Sequence, residues 1–166
     1  MRYCLDSNVY IEAHRRYYAF DIAPGFWDGL VRLAEQQIIC SPILVYNEIA
    51  VSNDVLAKWA KLNRDLLFVD IDDPTQEVFK QIVDQIVLSY EPHQVQNFLS
   101  GADPWVIAYA KVHQLAVVTM ESARDEIQNA DGKISGRIKI PNICHRFDIP
   151  YKDTFTLLRE QKIVLR

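Results

Sequence analysis

Four acidic residues stand where short apolar runs give way to turn or helix signals. They are Asp6 in Tyr3-Cys4-Leu5-Asp6-Ser7-Asn8, Glu48 in Ser41-Pro42-Ile43-Leu44-Val45-Tyr46-Asn47-Glu48, Asp103 in Gly101-Ala102-Asp103-Pro104-Trp105, and Glu121 in Val117-Val118-Thr119-Met120-Glu121. Brought together with no lysine among them, these carboxylates would repel one another unless a cation intervened. An all-oxygen donor set suits Mg²⁺ or Mn²⁺. Two such ions about 3.5–4 Å apart stabilise both the attacking and the leaving oxygen of a phosphodiester displacement. Zinc fits less well, because no His or Cys accompanies the acids. Taken singly, each acid has a plainer role. Aspartate is a preferred helix cap, and Asp103 precedes a proline suited to the first helical position. Glu48 alone reads as the exposed face of an apolar helix.

The elements that must position these residues follow from the apolar pattern. Tyr3-Cys4-Leu5, Ile38-Ile39-Cys40, Leu67 to Ile71, Leu115 to Thr119 and Ile138-Lys139-Ile140 read as strands. Helical spacing runs over Pro24 to Glu35, Pro42 to about Val51 (with Ser41 as its cap), and from Asn53-Asp54 through Val55, Leu56, Trp59, Leu62 and Leu66. It continues over Thr75 to Tyr90, with two apolar stripes, then Asp103 to about His113, and Asp153 to about Gln161. A short helix follows Asn8. Glu91 to Ser100 reads as a polar connection and Arg124 to Gly136 as a loop or flap. Short strands alternating with helices point to an α/β fold with a parallel sheet, whose ligands sit beyond the carboxyl ends of the strands. Asp6 and Glu121 lie just past two strands, Asp103 opens a helix, and Glu48 lies about two turns into another. One edge of the sheet would bring them together.

Composition bounds the rest. The 166 residues fit one domain, 49% apolar and 24% charged, as in an ordinary soluble protein. No apolar run reaches the roughly 20 residues that span a membrane, and the start lacks a signal-peptide pattern. Three cysteines without metal-type spacing suit a reducing, cytoplasmic compartment. A net charge of −4 argues against extended nucleic-acid binding but leaves room for an acidic pocket that holds cations. His14-Arg15-Arg16-Tyr17-Tyr18 interleaves bases with aromatics, which suits phosphate contact and stacking on a single strand or, equally, a solvated helix face. His14, His93, His113 and His145 show no ligand spacing.

With these residues in place, the sequence resembles the PIN-domain proteins, the group that includes VapC-type toxin ribonucleases. The resemblance rests on YCLDSNVYI with Asp6, SPILVYNEI with Glu48, GADPWVIAYA with Asp103, and VVTMES with Thr119 and Glu121, in the family's order and spacing over residues 3 to about 125. The family more often has aspartate where Glu121 stands. The sequence after 122 resembles a less-characterised PIN-like branch, as a divergent C-terminal extension of a single domain over 1–166. The resemblance implies a three-layer α/β/α fold and a metal-dependent endoribonuclease of single-stranded RNA. Asp6, Glu48, Asp103 and Glu121 would hold one or two Mg²⁺ or Mn²⁺ ions and support attack of water on phosphorus. Ser7, Asn8 and Thr119 would support them by hydrogen bonds, and Asp125, one helical turn past Glu121, would share the last role. Arg15, Arg16, Lys133, Arg137 and Lys139 are candidates to guide the RNA backbone. The partners to expect are RNA, a cognate antitoxin protein and a second copy of the chain, with no membrane.

Two other readings stand beside this one. A PIN-like fold without activity would serve as a binding or scaffold module. A small-molecule phosphatase would need a second aspartate two residues after the first, where this chain has Asn8.

Overall fold

Tyr3, Cys4 and Leu5 are all buried, as in a strand covered on both faces. In the computed structural model, which describes residues 2–166, they form β1 (Tyr3–Leu5). The other strands are β2 (Ile39–Pro42), β3 (Phe68–Val69), β4 (Ala116–Val118) and β5 (Tyr151–Lys152). They form one sheet of order β3-β2-β1-β4-β5 in which every pairing is parallel. Tyr3 pairs with Ile39 on one side and with Ala116 on the other, so β1 is central.

Parallel strands need crossovers, and helices supply them. Between β1 and β2 run α1 (Ser7–Glu12), which continues into a π-helical turn over Ala13–Tyr17, and α2 (Pro24–Glu35). Between β2 and β3 lie α3 (Ile43–Ala50), α4 (Val55–Leu62) and α5 (Arg64–Leu67). The long return to β4 is made by α6 (Asp73–Ser89), α7 (Pro92–Leu99) and α8 (Asp103–His113). Then α9 (Ile140–Arg146) leads to β5 and α10 (Thr154–Glu160) closes the helical set. The chain moves outward from β1 through β2 to β3, then crosses back to β4 and β5. Right-handed crossovers therefore put α2 and α5 on one face and α6, α8 and α9 on the other. The result is the three-layer α/β/α arrangement with a central parallel sheet. On the α8 face, Val106, Ile107, Ala108 and Ala110 are buried, and Trp105 stacks on Phe79 of α6 at 3.8 Å between ring centres. On the other face Tyr10, Trp59 and Phe68 form an aromatic cluster, with Tyr10 at 6.0 Å from each of the other two rings.

This topology fixes where a site belongs. Strand order reverses at β1, which has β2 on one side and β4 on the other, and the carboxyl ends of β1 and β4 border a crevice. The amide of Asp6 donates to the Val118 carbonyl at 3.0 Å, so the residues that leave both strands stay together. α8 leads directly into the parallel strand β4, so its first residue lies at the same edge.

Several local expectations are corrected. Residues 91–100 form α7 rather than a polar connection, because Val95 and Phe98 bury a narrow stripe one turn apart. Ile138-Lys139-Ile140 is not a strand; Ile140 opens α9 with Pro141 in its first turn. Ser41 and Pro42 belong to β2, and the Ser41 hydroxyl donates to the Leu5 carbonyl at 2.7 Å instead of capping α3. The buried side of α4 is Leu56, Ala57 and Ala60, while Val55 and Leu62 are 55% and 86% exposed. α6 buries Ile82 and Ile86 but leaves Val87 half in solvent. β5 was not foreseen: the chain after 122 contributes a strand to the sheet itself.

Candidate active site

Asp6 follows β1 and is fully buried. It stands at the cap position of α1 in extended conformation, yet its side chain makes no capping hydrogen bond. Its carboxylate instead accepts from the Thr119 hydroxyl at 3.0 Å and, more weakly, from the Ser7 hydroxyl at 3.4 Å. Burial pushes its pKa up to about 7, the Glu121 and Glu48 charges add to the rise, and the Thr119 hydrogen bond opposes it.

Asp103 is the first residue of α8, and its side chain does not cap the helix either; Ala102 holds the cap position. Its pKa is pushed up to about 8, by burial first, then by the charges of Asp6, Glu121 and Glu48, against a lowering influence from Arg137. The Glu48 and Glu121 charges thus act on Asp6, and all three act on Asp103.

Glu48 ties three elements together. One carboxylate oxygen accepts from the Ser7 hydroxyl at 2.6 Å, and the other accepts from the Ala102 amide at 2.7 Å. It thereby fixes the start of α8, and with it Asp103, relative to α1. A Cβ added at Gly101 would sit 3.1 Å from the same Glu48 oxygen.

Glu121 is held differently. Its side chain is 5% exposed; Oε1 accepts from Arg137 Nη2 at 3.2 Å and Oε2 from the Ile140 amide at 2.9 Å. The Thr119 hydroxyl that donates to Asp6 also accepts from the Glu121 amide at 3.1 Å, so one side chain orients two of the acids.

A cleft of about 580 Å³ opens onto Glu48 and Asp103 and is bordered also by Ser7 and Asn8, by Gln94 and Asn97 of α7, and by Arg137, while Asp6 borders neither this cleft nor the cavity beside it. A second cavity of about 380 Å³ adjoins it and is bordered by Asn8, Arg16, Glu121, Ser122, Arg137 and Lys139. Sequence reasoning missed Gln94 and Asn97 because their segment read as a connection; Pro92 followed by Val95 and Phe98 was the available signal.

Other candidates fall away. Asp125 lies on an exposed loop; no helix follows β4 directly, so the turn that would have carried it beside Glu121 does not form, and it is not among the principal charges acting on Asp6 or Asp103. Arg15 is exposed and borders neither cavity, whereas Arg16 borders the second while pairing with Glu12 at 3.2 Å. Lys133 donates to the Val87 and Leu88 carbonyls at the end of α6, so its charge serves the helix terminus.

Among the described residues, no three His, Cys, Asp or Glu side chains stand gathered as a finished metal-binding set. The hydrogen bonds explain this: Glu48 and Glu121 point their oxygens at protein donors, not at a shared centre. The donor chemistry nevertheless fits a hard divalent cation. Two carboxyls, one buried and one half-buried, have raised pKa values, the Ser7 and Thr119 hydroxyls bond to Asp6, and Arg137 acts to lower the pKa of Asp103.

Comparisons with known proteins extend this picture. Residues 3–165 match the model of a family described as a domain of unknown function, DUF4411. No curated protein matches. Among solved structures, the fold is similar to a chain of VapBC2 from Rickettsia felis, crystallised bound to a DNA fragment from their promoter. The TM-score is 0.54 at 13% identity, with 92% of this chain and 98% of that chain covered. This likeness agrees with the PIN-like α/β/α architecture. No helix among the described residues is long and apolar enough to cross a membrane.

Proposed function

The chain belongs to the DUF4411 family, and we propose that it is a metal-dependent endoribonuclease that cleaves single-stranded RNA. One observation carries the proposal. Asp6 is buried and Asp103 half-buried at the switch point of a parallel sheet, their pKa values pushed up to about 7 and about 8, with neither side chain used as a helix cap. A structural aspartate at a helix start would bond to the amides of the first helical turn; these two make no such bond, and Asp103 borders the cleft.

Asp6 and Asp103 would hold Mg²⁺ or Mn²⁺, with Glu48 and Glu121 completing the set by turning an oxygen from their present donors. A bound ion of this kind makes water nucleophilic near neutral pH and offsets charge on phosphoryl oxygens. The chain's own residues do the positioning. Thr119 fixes the Asp6 carboxylate, Glu48 sets the start of α8, and Ser7 links Asp6 to Glu48. Asn8 borders both cavities, within reach of a strand laid across them.

The fold shared with a chain of VapBC2 supports a role as the toxin half of a two-protein pair, with a small antitoxin as partner and free thiols in keeping with a cytoplasmic setting. The second reading, an inactive binding module, is favoured by one observation: Glu121 is already neutralised by Arg137 and the Ile140 amide. The deciding experiment is cleavage of labelled single-stranded RNAs of varied sequence in Mg²⁺, in Mn²⁺ and in EDTA. Cleavage abolished by EDTA supports the nuclease. Cleavage indifferent to EDTA removes the metal, and intact RNA throughout the set favours the inactive module.

A further inference from the structure

Arg137 borders both cavities beside the acids, and the cations around the site all lie on one side of it. The larger cleft is bordered on its far side by the uncharged amides of Gln94 and Asn97, and Arg137 is its one bordering cation. The smaller cavity is bordered by three cations, Arg16, Arg137 and Lys139, and by two carboxylates, Glu12 and Glu121, which pair with Arg16 and Arg137. Arg137 and Lys139 flank Ile138, which is buried, so a single apolar anchor holds both cations at the cavity wall. Arg137 is 64% exposed, and of its five N–H donors one is engaged, by Glu121. Lys139 has no carboxylate partner among the described residues. Arg16 pairs with Glu12 and is the least available of the three.

A polynucleotide carries regularly repeated anions. If one phosphate lies at Asp6 and Asp103, the strand leaving on the amide side meets no cation, and the strand leaving on the other side passes Arg137 and then Lys139. Resting on the nuclease reading, we propose that Arg137 and Lys139 form a subsite for the phosphate adjacent to the cleaved one, so that the substrate is gripped on one side of the cut only. Arg137 has a donor fork suited to phosphate and its bond to Glu121 keeps that fork beside the acids. Lys139 adds a point charge further along. The chain thus reads a short single strand with a defined polarity, despite its net negative charge, because the positive groups are few and local.

The test uses a labelled ribodinucleotide and two longer forms, one extended by a nucleotide at the 5′ end and one at the 3′ end. Binding is read by fluorescence anisotropy in Ca²⁺ and cleavage in Mg²⁺ and Mn²⁺, with the parent chain, Arg137→Gln and Lys139→Gln. The expected result is that one extension tightens binding and the other does not, and that each variant loses the gain. For the extended substrate, Lys139→Gln should raise KM with kcat nearly unchanged. It should also flatten the log–log salt dependence of binding by about 0.7, the contribution of one phosphate on a single strand. Arg137→Gln also releases Glu121, so Lys139→Gln, which has no such partner, decides the matter. A gain that survives in Lys139→Gln, equal effects of the two extensions, or no binding by the parent overturns the subsite. One-sided binding by a parent that cleaves nothing in either metal leaves the subsite standing and removes the nuclease.

Discussion

Asp6 and Asp103 stand at the ends of regular elements with no cation bonded to either among the described residues, whereas Glu121, just beyond β4, is held by Arg137 and by the Ile140 amide. The first pair is placed by the sheet and by α8; its charges are raised in energy by burial and by one another. The second arrangement is made by an irregular segment that supplies its own counter-charge. The difference teaches that a rigid frame can hold carboxyls together with raised pKa values and no bonded counter-charge, because packing of β1, β4 and α8 does the holding. A loop cannot, and its acid is stable there because a guanidinium and an amide came with it.

The largest effect should come from the pair with no bonded counter-charge. Asp6→Asn or Asp103→Asn should lower kcat/KM for RNA cleavage by about a thousandfold or more, several kcal/mol of lost transition-state stabilisation. In EDTA the same variants should melt no lower than the parent, since each removes a repelled charge. A marked loss of metal-free stability in both would show that these aspartates serve the fold and would erase the contrast with Glu121. Next is the hydroxyl the two arrangements share. Thr119→Val should reduce activity roughly 10–100-fold, the usual effect of removing a group that orients metal-binding residues, with Asp6 and Glu121 both set loose.

Metal should stabilise the first arrangement directly. At a hundredfold excess over its Kd, Mg²⁺ should add about 2.7 kcal/mol to the parent, read as a rise of roughly 2–4 °C in Tm per kcal/mol for a chain of this size. Asp103→Asn should lose most of that rise, and equal shifts in the two proteins would take Asp103 out of the site. The pH dependence has a definite sign. Asp6 and Asp103 have folded pKa values of about 7 and about 8 against an ordinary value of 3.8. Between those limits the folded chain holds more protons than the unfolded one, so metal-free stability is greatest at the acidic end and falls as pH rises. The slope is at most about 1.4 kcal/mol per pH unit for each extra proton. Acids with lowered pKa values, Asp54, Asp72, Asp153 and Glu160, act below this window. Melting in EDTA at pH 5 and pH 8 should show the higher Tm at pH 5, and Mg²⁺ should narrow the gap.

The smallest effect should come from the loop. Asn142 accepts from the Arg124 amide at 3.1 Å and donates to the Arg124 carbonyl at 2.8 Å. Asn142→Ala should destabilise by about 1–2 kcal/mol and speed amide exchange over residues 124–139. The response to metal should stay close to the parent's. A collapse of metal binding in that variant would mean that the two arrangements are one cooperative unit.

How much of this was legible in the sequence depended on whether local chemistry and burial agreed. Asp103 was legible because a turn, a proline and a run of small apolar residues mark a helix start, and α8 begins there. Asp6 was legible because an apolar run stops abruptly at residues that favour turns. By contrast, α7 buries only Val95 and Phe98 and leaves most of its surface polar, so its period was too faint to read. Ile138 and Ile140 alternate by coincidence: one anchors a loop and the other begins α9. The bond from Arg137 to Glu121 spans 16 residues of irregular chain, and no periodicity encodes such a contact. Asp125 was misplaced because a helix was assumed where the chain has none.

The hydrogen bond between Thr119 and Asp6 joins residues 113 positions apart, and this separation has a consequence for birth of the protein on the ribosome. At about 5–20 residues per second of synthesis, Asp6 waits roughly 6–23 seconds before Thr119 is even polymerised. β1 cannot be flanked on both sides until β4 arrives, so the nascent chain carries Asp6 without its Thr119 partner until then. The assembly of the acidic crevice is therefore delayed by topology until β4 has been made.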